Sequence, residues 1–295
     1  MNVSLKPGKY VLAVSGGVDS VVLLDILTKL PGVELVVAHY DHGVRTDSSV
    51  ERQLVSDLAR DYGLPYETEE GRLGSRVSEA AARAARYNFL ERARALHDAQ
   101  AVITAHHQDD LLETMVLNML RGTGRRGLSS LKSSDEVYRP LLGVPKSELL
   151  RYAKEKGLSW REDSTNADAK YLRNYIRQNI MPRFAYEDRQ ALLGLHQKFM
   201  SLNHEINAEV TNWLATHADG VTLKRHDFIM LPHNVAREIM AGWLLRYTDV
   251  QLSKKLLERL VIAAKTGPIN SKFDVNQQWW LRVGDVFLAL EHRER

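Results

Sequence analysis

The chain has 295 residues, 44% hydrophobic and 26% charged, with a formal net charge of +3. That length allows one large domain and one or two small ones, and the composition is that of a globular protein rather than a disordered one. There is no cysteine, which excludes disulfides, thiolate zinc sites, iron–sulfur clusters and persulfide relays. No apolar run approaches a membrane span, and Met1–Tyr10 lacks the apolar core of a signal peptide, so a cytoplasmic location without membrane contact is the default expectation. A net charge this small does not argue for nucleic acid by itself, because local patches decide that.

Residues 1 to about 145 alternate short apolar runs with helical patterns. The runs are Tyr10–Val14, Glu34–Tyr40, Leu64–Glu67 and Ala101–Ala105, and the helical stretches lie near Val18–Leu30, Asp47–Tyr62 and Ser78–His97. This alternation predicts an α/β fold: a doubly wound parallel sheet covered on both faces, with ligands gathered at the carboxyl ends of its strands.

The first strand tip is Ser15-Gly16-Gly17-Val18-Asp19-Ser20. A strand, a tight Gly-Gly turn and a helix start form an anion site. The glycines let the backbone come close, and unpaired N–H groups and the helix dipole face the ligand. A Gly-Gly pair alone would read as a plain turn with serine caps; the whole string points to phosphate. It is not the common P-loop, since no Gly-Lys-Ser or Gly-Lys-Thr follows to bring a lysine to a terminal phosphate.

The second tip is His39-Tyr40-Asp41-His42-Gly43-Val44-Arg45. Asp41 suits a ribose, an amine or a metal, and Arg45 suits phosphate. Further on, Glu79-Ala-Ala-Ala-Arg83-Ala-Ala-Arg86-Tyr87 places two arginines on a secure alanine-rich helix, where Glu79 and Arg83 can simply pair. The third tip is His106-His107-Gln108-Asp109-Asp110-Leu111-Leu112-Glu113-Thr114, opening a helix to about Leu120. Asp110 and Glu113 share a helix face, as do Asp109 and Glu113. Acidic residues in a first turn favour a helix through its dipole, but two histidines followed by two aspartates exceed what a cap needs.

That helix stops in Arg121-Gly122-Thr123-Gly124-Arg125-Arg126, a basic glycine loop suited to a phosphate backbone. Arg139 precedes a helix-excluding proline, and a helix near Lys146–Lys156 ends at Gly157. Next come Trp160-Arg161-Glu162-Asp163-Ser164-Thr165-Asn166 and Leu172-Arg173-Asn174-Tyr175-Ile176-Arg177, the latter placing Arg173 and Arg177 on one helical face. Beyond Pro182, apolar residues stepping by three or four make one long amphipathic helix, about Arg189 to His217. The tail predicts a short strand, helices near Val235–Tyr247 and Leu252–Lys265, and strands around Trp279–Leu290; Trp279-Trp280 reads better as core than as an RNA-stacking surface.

The first string resembles the pyrophosphate loop of the N-type ATP pyrophosphatases, which split ATP into AMP and pyrophosphate and adenylate an oxygen of their substrate. The ordered set of motifs over residues 8 to 184, including Arg-Pro-Leu-Leu and Arg-Asn-Tyr-Ile-Arg, resembles the tRNA(Ile)-lysidine synthase family in its short form. The resemblance implies an adenine-nucleotide-hydrolase-like catalytic domain over 1–184, a connector helix over 185–217, and a small tRNA-contacting domain over 218–295. It implies ligation of lysine, with ATP and Mg²⁺, to C2 of the wobble cytidine of tRNA(Ile) with a CAU anticodon. Its implied ATP-binding residues are Ser15, Gly16, Gly17, Val18, Asp19, Ser20 and His39. Asp41, His42, Asp109, Asp110 and Glu113 would bind lysine or take its proton. Arg45, Arg83, Arg86, Arg121, Arg125, Arg126, Arg173 and Arg177 would meet tRNA or phosphate, and Asp19 and Asp110 are the Mg²⁺ candidates. A homodimer is carried as a further expectation. The alternatives are a tRNA 2-thiolation enzyme, which the lack of cysteine disfavours, an amide-forming synthetase of the NAD synthetase type, and a non-catalytic nucleotide sensor.

Overall fold

The structure is a computed structural model that describes residues 1, 3–41, 48–71, 79–161 and 172–293. The chain forms two compact units, Met1–Phe199 and Met200–Arg295. Among the described residues, no helix is long and apolar enough to cross a membrane.

The first unit runs β1 (Gly8–Ala13), α1 (Val18–Leu27), β2 (Val33–Asp41), α2 (Ser48–Asp61), β3 (Tyr66–Glu70), α3 (Glu79–Leu96), β4 (Ala101–Ile103), α4 (Gln108–Leu120), α5 (Arg125–Leu128), β5 (Val137–Tyr138), α6 (Lys146–Glu155) and α7 (Leu172–Tyr175). The strands form a wholly parallel sheet in the order β3-β2-β1-β4-β5. The order reverses between β1 and β4, which is where doubly wound sheets bind their ligands. Side chains alternate across β1: Tyr10 and Leu12 join one core with α1 and α6, while Val11 joins another with Phe89, Leu90 and Ala93 of α3. Both faces of the sheet are therefore covered, and its central strands read as unbroken apolar runs.

Two edges differ from the sequence reading. β3 extends to Glu70 rather than ending at Glu67, because an edge strand need not be apolar at its exposed end. β5 is a two-residue edge strand with no pattern of its own to predict it.

Helix α1 carries the glycine loop at its start, and a buried polar group fixes it in place. Asp25, 5% exposed, accepts hydrogen bonds from Tyr62 (2.8 Å), Tyr152 (2.7 Å) and Lys29 (2.5 Å). Burial alone would raise the Asp25 pKa, but these three donors hold it below the usual carboxylate range.

After α7 the helix widens into a π-helical stretch, Ile176–Ile180, and tightens at Met181–Arg183 before α8 (Tyr186–His217). Ile176 and Met181, with Leu192 and Leu193 of α8, pack on Leu112, Val116 and Leu117 of α4. That small core sets the arginines of this segment over the acidic start of α4. Helix α8 passes from the first unit into the second.

The second unit continues with β6 (Ala218–Asp219), β7 (Thr222–Lys224), α9 (Arg225–Ile229), α10 (His233–Tyr247), α11 (Lys254–Thr266), β8 (Ser271–Asp274), β9 (Trp279–Val283) and β10 (Phe287–His292). Its sheet is antiparallel, in the order β6-β7-β10-β9-β8. One face packs on Phe228, Trp243, Leu244 and Leu260. A Cβ on Gly242 would sit 2.3 Å from Val210, so α10 and α8 touch there because that residue is glycine. The tryptophan pair divides: Trp279 packs on the core, whereas Trp280 lies on the other face, with Lys272 and Arg293 within 4.9 Å of its ring centre.

Candidate active site

The glycine loop lies at the tip of β1. Gly16 has φ +87°, a left-handed conformation that favours glycine, and Gly17 starts α1 with no side-chain cap. The first-turn N–H groups of α1 are thus left to face an anion. Ser20 ties the bend together: its hydroxyl donates to the Gly17 carbonyl (2.9 Å), accepts from the Ser15 N–H (3.2 Å) and lies 3.3 Å from the Ser15 hydroxyl. The Arg161 N–H donates to the Gly16 carbonyl at 3.0 Å. His39 is 3% exposed, and its Nδ1–H donates to the Val14 carbonyl at 2.9 Å, so it anchors the base of the loop. Val18 points into the core.

The loop meets the third tip at His107, which is 2% exposed. Its Nε2 lies 3.5 Å from Asp19 and 3.5 Å from Asp110, and its Nδ1 lies 3.8 Å from Asp109. Burial works against a charge on this ring, but the three carboxylates outweigh it and raise its pKa. Neighbouring His106 behaves in the opposite way. Burial lowers its pKa, Asp110 opposes this, and Arg139, Arg86 and Arg83 push it further down. Its Nδ1 pairs with the Thr104 hydroxyl at 2.8 Å.

The carboxylates of α4 have distinct partners. Asp109 accepts from the Lys146 N–H (2.8 Å), which opens α6, and from Arg189 of α8 (2.8 Å). Burial would raise its pKa, but these two donors lower it. Glu113, 2% exposed, takes two bonds from Arg177 (2.7 and 2.9 Å) and one from Arg173 (3.4 Å). Asp110 accepts from the His107 N–H (3.1 Å) and lies 3.4 Å from Arg177 and 3.7 Å from Arg173. Burial again opposes its ionisation, and His107, His106 and the backbone bond prevail, lowering its pKa.

Arg173 and Arg177 thus face this acidic group rather than forming a free basic surface. Asp41 ends β2, 4% exposed, one strand away from β1 on the side opposite β4. Arg83 and Arg86 stack on Tyr87, whose hydroxyl also meets Arg139 at 3.4 Å. Arg121 is exposed at the end of α4, and Arg125 and Arg126 form α5, which Asn118 fastens through the Gly127 carbonyl at 2.7 Å. His42, Arg45, the side chain of Glu79 and the Glu162–Asn166 string lie outside the described residues.

Sequence reasoning missed Arg189 and Lys146. In the sequence Arg189 only opens an amphipathic stretch, and nothing in its local pattern marks it as a partner of Asp109. Lys146 begins a helix directly after a proline, a common cap position that carries no functional signal.

The residues suit ATP with a divalent cation. The loop offers backbone donors, and the buried Asp19 Oδ1, in the first turn of α1, has no hydrogen-bond partner. No group of three or more His, Asp or Glu side chains among the described residues forms a metal cage. Mg²⁺ commonly binds through one or two carboxylates plus phosphate oxygens, so such a cage is not required.

The fold and loop define an ATP-utilising domain of the PP-loop class: the family model described as "PP-loop domain" matches residues 2–184. A tRNA(Ile)-lysidine synthase from Thermotoga sp. (strain RQ2) is 41% identical over 189 residues, covering 60% of this chain and 46% of that protein. One from Solibacter usitatus is 32% identical over 303 aligned positions, covering 95% of this chain and 68% of the relative. The chain belongs to the tRNA(Ile)-lysidine synthase family. It spans about half the length of several of these relatives, such as the 46% above. Among solved structures, the U34-tRNA thiolase of Methanococcus maripaludis with its [4Fe-4S] cluster superposes with a TM-score of 0.55 at 16% identity, covering 67% of this chain and 73% of that one. That likeness concerns the fold alone.

Proposed function

We propose that this chain joins free L-lysine to C2 of the wobble cytidine of a tRNA(Ile) with a CAU anticodon, consuming ATP and releasing AMP and pyrophosphate. The modified tRNA then reads AUA in place of AUG. The observation that carries this reading is the meeting of the glycine loop with the acidic start of α4 at His107, in a chain of this family.

The loop N–H groups and the Ser15 hydroxyl hold the ATP phosphates, with Ser20 bracing the bend, while the cytidine O2 attacks the α-phosphorus and pyrophosphate leaves. The lysine ε-amine then forms a bond to C2 as the C2–O2 bond breaks and AMP departs. Asp19 and Asp110 are the residues that would hold Mg²⁺, which would supply charge neutralisation at the phosphate oxygens.

The amine attacks only after losing a proton that it holds with a pKa of about 10.4 in water. Asp109 and Glu113 are committed to Arg189, the Lys146 N–H, Arg173 and Arg177. Asp110 is given to Mg²⁺ and also meets Arg177 at 3.4 Å, so Asp41, across the β1 tip, is the carboxylate that we assign to the ammonium. An anticodon loop can splay its base into such a site without melting a duplex. Arg83, Arg86, Arg121, Arg125 and Arg126 would meet tRNA phosphates or the departing AMP, and residues 218–295 would add contacts to the tRNA body. The reaction is assigned to the cytoplasm, where its substrates meet.

The test is incubation with ATP, radiolabelled lysine and tRNA(Ile) transcripts bearing either C or U at the wobble position. Label is expected in the C34 transcript alone, with one AMP formed per lysine. Asp110→Ala is expected to abolish labelling while leaving the circular dichroism spectrum unchanged. Absence of label in C34 RNA from folded, ATP-cleaving protein overturns the reading; full activity in Asp110→Ala makes that residue only a helix cap.

A further inference from the structure

The glycine loop has no lysine of its own to reach the departing pyrophosphate. We infer that Lys146 supplies it: its side chain swings from Asp19 onto the β- and γ-phosphates of ATP and holds pyrophosphate as that group leaves. This rests on the proposed use of ATP but not on the identity of the acceptor.

Among the described residues, the arginines that face the acidic start of α4 are already engaged. Arg177 is fixed by two bonds to Glu113, Arg173 by Glu113 and Thr114, and Arg189 by Asp109 and the Met181 carbonyl. Lys146 Nζ stands 3.8 Å from Asp19 Oδ2, beyond hydrogen-bond length, and its side chain is 39% exposed. An ion pair so loose and wet contributes little, so releasing it opposes the motion weakly.

Its anchor is firm. The Lys146 N–H is the first of α6 and donates to Asp109 at 2.8 Å, and Asp109 is in turn held by Arg189. A rigid backbone thus carries a mobile ammonium to the mouth of the loop. Asp19 sits in the first turn of α1, so a cation touching it lies beside the phosphate cradle.

The side chain can be changed without touching the cap, because Asp109 is bound by the backbone of residue 146. Calorimetric titrations with Mg-pyrophosphate and with AMP separate the two halves of the nucleotide. Lys146→Met is expected to weaken pyrophosphate binding about 10- to 100-fold, the range for a lost bond between charged groups. AMP affinity is expected to stay within about twofold, and Lys146→Arg to recover most of the loss. Unchanged pyrophosphate affinity in Lys146→Met, or an equal loss for AMP, overturns the assignment. A chain that shows the expected binding but never labels tRNA would sink the proposed reaction and leave this role standing; labelled tRNA with unchanged pyrophosphate affinity would do the reverse.

Discussion

Glu113 is the residue on which the arginine segment is pinned, and replacing it with alanine tests that claim. The carboxylate is 2% exposed and accepts three bonds from two guanidinium groups, at 2.7, 2.9 and 3.4 Å. Removing one partner of a buried ion pair costs about 3–5 kcal/mol, because the other charge stays without compensation. Both arginine side chains are 30% exposed, so water reaches them in part and the lower end applies, about 3 kcal/mol. For a unit of this size each kcal/mol lowers Tm by about 2–4 °C, which gives a fall of roughly 6–12 °C. Urea unfolding followed by circular dichroism, fitted with separate transitions for the two units, reads the change at the first unit. Glu113→Leu combined with Arg177→Met is expected to be more stable than Glu113→Ala, since only Arg173, which also reaches Thr114, then loses its carboxylate. A loss below about 1 kcal/mol in Glu113→Ala would show that the pair behaves as a surface contact, and the packing account of this segment would be wrong.

The paired histidines should titrate in opposite senses. In nitrogen NMR spectra His107 is expected to keep its proton above pH 6.5 and His106 to be neutral well below it; the reverse order refutes the electrostatic reading of the site. Asp109 has a folded pKa below its unfolded one, so its stabilisation is present above about pH 4 and vanishes as pH falls through the folded value. The stability gap between wild type and Asp109→Asn, read by urea midpoints, should therefore shrink from pH 7 to pH 3, and a constant gap would contradict this. In the second unit, buried Arg225 donates to the carbonyls of Ala264 (3.2 Å), Gly284 (2.9 Å) and Gly267 (2.9 Å). Arg225→Met strands three acceptors and is expected to cost about 3 kcal/mol, and Arg225→Lys recovers little because an ammonium cannot span all three.

Much of the candidate site's layout is legible in the sequence. An apolar run followed by Ser-Gly-Gly predicts a strand, a bend and a helix start by local rules alone. Parallel strands then bring their tips to one edge of the sheet. The Ser15–Ser20 loop and the His107–Asp110 string do meet there, since adjacent parallel strands lie about 4.8 Å apart. The acidic spacing of α4 was equally readable, because residues three and four apart share a helix face whatever surrounds them.

The partners of those acids were not readable. Arg189 stands 80 positions from Asp109, and Lys146 stands 37. The arginines at 173 and 177 looked like a basic surface until packing of the π-helical stretch turned them onto Glu113. Trp280 likewise shared its core-like appearance with Trp279 until strand pairing sent the two to opposite faces of a sheet. Backbone propensity and side-chain period act over a few residues, so the order of amino acids determines the elements and the chemistry at their ends. Which charge neutralises which depends on how distant elements stack, and that choice is made only when the chain closes on itself.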